Sequence, residues 1–111
     1  MSTLTVGERS IALDKDGYLV ELSDWSEEVA SALAAHEDLE LTAEHWEVLA
    51  LLRDFYQEFE LSPATRPLIK YTALKLGADK GNSLHLNRLF KGTPAKLAAK
   101  LAGLPKPTNC I

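Results

Sequence analysis

The sequence ends in AGLPKPTNCI, residues 102–111, and its only cysteine, Cys110, lies one residue from the end, beyond two prolines. A thiolate attacks the sulfur of a persulfide or disulfide, and the persulfide it gains is a reversible, transferable modification. The backbone before this thiol is unsuited to a helix, because Pro105 and Pro107 lack an N–H and restrict Leu104 and Lys106. From Gly103 to Cys110 a stiff, semi-extended segment reaches roughly 20 Å, at about 3.3 Å per residue. A thiol placed this way can enter another protein's pocket, which suits carrying a group between active sites more than completing one. Lys106 would favour the thiolate and the terminal carboxylate would oppose it, so activation is expected from a partner's pocket. The competing reading is an inert exposed cysteine on a chain end.

Other chemistry is sparse. One cysteine makes neither an internal disulfide nor a multi-thiolate metal site. His36, His45 and His85 lack zinc-ligand spacing, so no metal is expected. There is no P-loop, no dinucleotide fingerprint and no Gly-x-Ser-x-Gly elbow, and no cofactor is expected. KGNS, residues 80–83, opens a helix where an anion could sit, but capping explains the same residues and is the preferred reading. The aromatic stripe Trp46, Leu49, Leu52 or Arg53, Tyr56, Phe59 recurs at helical spacing and reads as core rather than as a cofactor box.

The elements that must position the thiol follow from pattern. The chain of 111 residues supports one domain with one core, residues 1–103, followed by an arm, 104–111. TLTV and RSIAL flank a Gly7-Glu8 turn, and DKDG (residues 14–17) makes a second turn before YLV, which together predict a three-stranded antiparallel β-meander. Ser26 caps SEEVASALAAHED, and Thr42 caps AEHWEVLALLRDFYQEF. Ser62-Pro63 opens ATRPLIKYTALKL, unless Pro67 marks its true start with Thr65 or Arg66 as cap; Gly77 stops it. Asn82 or Ser83 caps LHLNRLF, and Thr93-Pro94 starts AKLAAKLA, closed by Gly103. Strands first and helices after predict an α+β fold, a small meander packed on five helices, with a flexible C-terminal arm.

Charge divides the chain. Residues 1–61 hold 3 Lys and Arg against 15 Asp and Glu, and residues 62–111 hold 9 against 1, so the net −4 conceals −12 and +8. Lys96, Lys100 and Lys106, on the last helix or the arm, are the cations best placed to dock an acidic partner at the thiol's entry point. The alternative is that the two halves attract one another inside the fold. No apolar run approaches the roughly 18 residues that cross a bilayer, and MSTLTVGERS lacks a basic flank before an apolar stretch. The expected location is cytoplasmic.

The segments GYL, WSE, HWEV, RDFYxEFxxSPAxR, KGNS, RLF, PAK and AGLPKPxxCI, where x marks positions that carry no likeness, occur in this order along nearly the whole chain and resemble the TusE/DsrC family of bacterial sulfur-relay proteins. The resemblance implies a β-meander on five helices and a functional penultimate cysteine, here Cys110. In the sulfite-reductase-linked branch a second cysteine lies eleven residues upstream; here that position is Ala99, which excludes an internal two-cysteine cycle. The resemblance therefore implies a sulfurtransferase of the TusE-like branch. Such a protein accepts persulfide sulfur from a TusBCD-like donor and relays it, with an MnmA-like thiouridylase bound to tRNA, to 2-thiolation of the wobble uridine. Direct contact with nucleic acid does not follow from it. The alternatives are a single-cysteine DsrC-like protein in another sulfur pathway or a regulatory DNA-binding role, and a structural adaptor.

Overall fold

The computed structural model describes residues 2–107, so Cys110 lies outside the described residues. Strands β1 (Ser2–Val6) and β2 (Arg9–Leu13) form an antiparallel hairpin with Val6 opposite Arg9 and Leu4 opposite Ile11. The two-residue turn has Gly7 at φ +61°, the position where a type II′ turn wants glycine. Leu4, Val6, Ile11 and Leu13 alternate onto one buried face, which packs on the first helix.

The expected third strand is reduced to a single bridge between Leu13 and Leu19. The turn before it forms as the sequence suggests, with Asp14 Oδ1 accepting from the Asp16 and Tyr18 N–H groups. Yet Tyr18 and Leu19 are both buried. A pleated strand with one core face cannot bury successive side chains against it, and the chain instead turns into a short 3₁₀ segment at Leu22–Asp24. The sheet therefore has two strands.

Among the described residues five helices follow: α1 (Glu27–His36), α2 (Ala43–Phe59), α3 (Thr65–Leu76), α4 (Ser83–Leu89) and α5 (Pro94–Leu101). Ser26 caps α1 by accepting from the Val29 N–H, and Asn82 caps α4 by accepting from the His85 N–H. On α2 the buried face is His45, Val48, Leu49, Leu51, Leu52 and Phe55, with Trp46 and Tyr56 half-buried; Phe59 leaves the stripe and is exposed. Helix α3 starts at Thr65 with Ala64 as its cap, between the two starts the sequence offers. Pro67 is its third residue, where an N–H would have no helical partner, so the proline costs little. Ser62 and Pro63 are both buried ahead of the helix, and Ser62 serves a different purpose described below.

Helix α5 is the centre of the molecule. It packs on α1, α2, α3 and α4, and Pro94, Ala95, Leu97, Ala98, Ala99 and Leu101 are buried. Its alanines let four neighbours approach one short helix closely. No helix among the described residues is long and apolar enough to cross a membrane.

Candidate functional site

Cys110 follows α5 in sequence, so the end of that helix is the last helical part of the body before it. That helix closes in a Schellman arrangement: Gly103, at φ +75°, donates to the Lys100 carbonyl, and Leu104 donates to the Ala99 carbonyl. Beyond this cap the chain stays on the body through Pro107. Leu104 is 3% exposed and belongs to the main core, and Pro107 is buried. The Ser62 hydroxyl donates to the Pro105 carbonyl, and Lys106 Nζ lies 3.5 Å from Asp16 Oδ2. The first four residues assigned to the arm are thus tied to the α2–α3 connection and to the β-turn.

The last carbonyls of α5 are answered from two other elements. Trp25 Nε1 donates to the Leu101 carbonyl at 2.8 Å, and Arg53 Nη1 donates to the Ala102 carbonyl at 2.6 Å. The Arg53 guanidinium lies 4.0 Å from the Trp25 ring centroid, within cation–π range. A cation at the negative end of a helix dipole is well placed electrostatically. Burial pushes the Arg53 guanidinium below its ordinary value, and it remains a cation at any pH a protein meets. Gly103 lies flat on the indole: a Cβ there would fall 2.3 Å from Trp25 Cδ1.

Two grooves flank this root. One, of about 240 Å³, is lined by Asp16, Glu37, Lys96, Lys100 and Lys106 among others, so the structure brings the three lysines expected at a docking surface to one depression. Lys100 Nζ lies 3.2 Å from Glu37 Oε2, the Tyr18 hydroxyl donates to the Lys96 carbonyl, and the Lys96 side chain is exposed. The other groove, about 380 Å³, is lined by Arg53, Tyr56, Gln57, Glu60 and Leu104. Ala99, eleven residues before Cys110, is fully buried on α5.

The remaining sequence candidates resolve locally. Asn82 also donates to the Ala78 and Asp79 carbonyls, and Lys80 pairs with Glu47 at 2.6 Å, so KGNS works as a cap. Among the described residues no three His, Asp or Glu side chains group as metal ligands. His45 is buried, and His85 faces Glu44 at 3.4 Å. The contacts that sequence reasoning missed are those of Trp25, Arg53 and Ser62. One signal was available for Arg53: a lone cation at the apolar spacing of α2.

Comparison with known proteins agrees with this architecture. The family model described as DsrC like protein matches residues 5–111. A Haemophilus influenzae protein named Sulfurtransferase TusE homolog is 54% identical over 97% of this chain and 99% of its own length. The Escherichia coli K12 protein named Sulfurtransferase TusE is 53% identical over 93% of this chain and 94% of its own. Among solved structures, Allochromatium vinosum DsrC superposes with a TM-score of 0.90 at 46% identity, covering 99% of this chain and 98% of that one. The oxidized γ-subunit of the dissimilatory sulfite reductase (DsrC) from Archaeoglobus fulgidus gives 0.86 at 38% identity, covering 98% and 99%. With a two-stranded hairpin on five helices, α5 at their centre and a match running from residue 5 to the last residue, this chain belongs to the DsrC-like family.

Proposed function

We propose that this protein is a sulfurtransferase that carries sulfur as a persulfide on Cys110. The observation that carries the reading is identity of 53–55% over nearly the whole chain with proteins named Sulfurtransferase TusE. The sole, penultimate thiol supports it. The Cys110 thiolate attacks the terminal sulfur of a donor persulfide; the new S–S bond forms as the donor's breaks, and the donor departs as a thiolate. An acceptor thiolate then attacks the terminal sulfur on Cys110, which leaves as a thiolate in turn. No net oxidation occurs, so one cysteine suffices. The donor is TusBCD-like, the acceptor an MnmA-like thiouridylase holding tRNA, and the end product 2-thiouridine at the wobble position. Lys96, Lys100 and Lys106 form the docking face.

Incubation with a persulfide-loaded donor is expected to add one sulfur, about 32 mass units, removable by reductant. Cys110→Ser is expected to fold normally and take none. An adduct surviving on the serine variant, or none on the native chain, rejects the carrier. Likeness to Allochromatium vinosum DsrC favours a second reading, service in another sulfur pathway. Unchanged wobble 2-thiouridine in a deletion strain would select it.

A further inference from the structure

We infer that Trp25 and Arg53 are positioning residues: by holding the Leu101 and Ala102 carbonyls they root the thiol-bearing segment at Pro107 rather than at the end of α5. The last carbonyls of a helix ordinarily face water. Here an indole N–H from the segment before α1 and a guanidinium from α2 answer them, at 2.8 and 2.6 Å. The two side chains also stack on each other, and Gly103 is pressed against the indole with no room for a Cβ. Ser62 repeats the pattern three residues after Ala102, on the Pro105 carbonyl. Three side chains from three parts of the sequence thus act on one short run of backbone.

Packing alone would not select these residues. Arg53 occupies a position on α2 between buried Leu52 and half-buried Tyr56, where an apolar side chain would fill the stripe. Its desolvation works against the charged form, so the cation is kept at a cost and its contact explains why: a fixed direction for the backbone that leaves α5.

The consequence is a short reach. From Gly103 the thiol would be seven residues away, but from Pro107 it is three, about 10 Å at full extension. The volume within covalent reach falls on the order of tenfold, which raises the effective concentration at a correctly docked acceptor by the same factor. A partner must therefore bring its sulfur to within about 10 Å of Pro107. Contact with the two grooves beside the root becomes part of transfer.

This inference rests on the carrier reading for its purpose, but its geometry is testable without sulfur. Backbone ¹⁵N relaxation in the full chain reads the Leu104 and Lys106 amides directly. Both are expected to show order parameters of about 0.85, matching α5, and to fall below about 0.6 in Arg53→Met while core amides of α2 keep theirs. Trp25→Phe, which keeps a ring but removes the N–H, is expected to give a smaller fall and serves if Arg53→Met does not fold. In the same variants sulfur transfer from a persulfide-loaded donor is expected to lose roughly tenfold in kcat/KM, with the rate of Cys110 alkylation by iodoacetamide unchanged. Mobile Leu104 and Lys106 amides in the native chain would overturn the inference. So would a variant that loosens the root yet transfers sulfur normally. A native chain that accepts no sulfur at all would defeat the proposed function and leave the relaxation result to decide the root by itself.

Discussion

His45 shows how much one side chain can organise. It is 5% exposed near the start of α2. Its Nδ1 accepts from the Thr42 N–H at 3.0 Å, which leaves Nε2 to donate to the Leu89 carbonyl at 2.8 Å. The ring meets Phe90 edge to face, with centroids 5.3 Å apart. One imidazole thus closes the N-terminus of α2 and fastens the C-terminus of α4 to it. His45→Leu keeps the bulk and strands both backbone groups, so it is expected to cost about 2 kcal/mol and several degrees of melting temperature. Persulfide loading of Cys110 should be unchanged, because His45 lies about 12 Å along α2 from Arg53. A melt equal to the native protein's would show that water replaces the ring at both ends; slower loading would connect it to the root.

At the scale of elements, the packed root changes what truncation should do. Pro105 and Pro107 suggest a segment outside the core, and the structure places Leu104 in the core and buries Pro107. A chain ending at Gly103 loses a buried leucine, worth roughly 2 kcal/mol, the Leu104 bond to Ala99 and the Ser62 bond to Pro105. It is expected to melt well below a chain ending at Pro107, by on the order of 10 °C. Equal melts would mean that residues 104–107 add nothing to the body. The helices were legible from their punctuation, Ser26, Thr42, Asn82 and Pro94 at four starts and Gly77 and Gly103 at two ends, whereas the start of α3 at Ala64 carries no such mark. The hairpin was legible from Gly7. The third strand was not, because YLV satisfies strand propensity while Tyr18 is drawn to the Lys96 carbonyl, a partner 78 residues away. The root was hidden for the same reason, apart from the lone cation Arg53 on the apolar stripe of α2. Trp25 and Arg53 bond to backbone carbonyls, and a carbonyl has no signature in a sequence.

For the whole molecule, the division of charge is partly an internal device. Lys80, Lys100 and Lys106 pair with Glu47, Glu37 and Asp16, each bond joining the basic half to the acidic half. Lys91 reaches the Glu37 and Asp38 carbonyls, again across the division. Of the three lysines at the groove beside the root, two are therefore engaged, and Lys96 is exposed with no ion pair among the described residues. The two explanations of the basic half now assign different results to different residues. Lys100→Glu sets a carboxylate against Glu37, where the native pair is only partly exposed, and is expected to lower the melting temperature by a few degrees, a cost on the order of 1 kcal/mol. Lys96→Glu removes a solvated charge and should leave the melt unchanged. If the groove docks an acidic partner, Lys96→Glu alone slows association and flattens its dependence on ionic strength, since rim charges act on encounter more than on the bound complex. Complex formation measured at two salt concentrations beside a thermal melt separates these effects. Association of the Lys96→Glu protein at the native rate in both salts would leave the basic half a purely internal counterweight, with the partner guided by other features of the root.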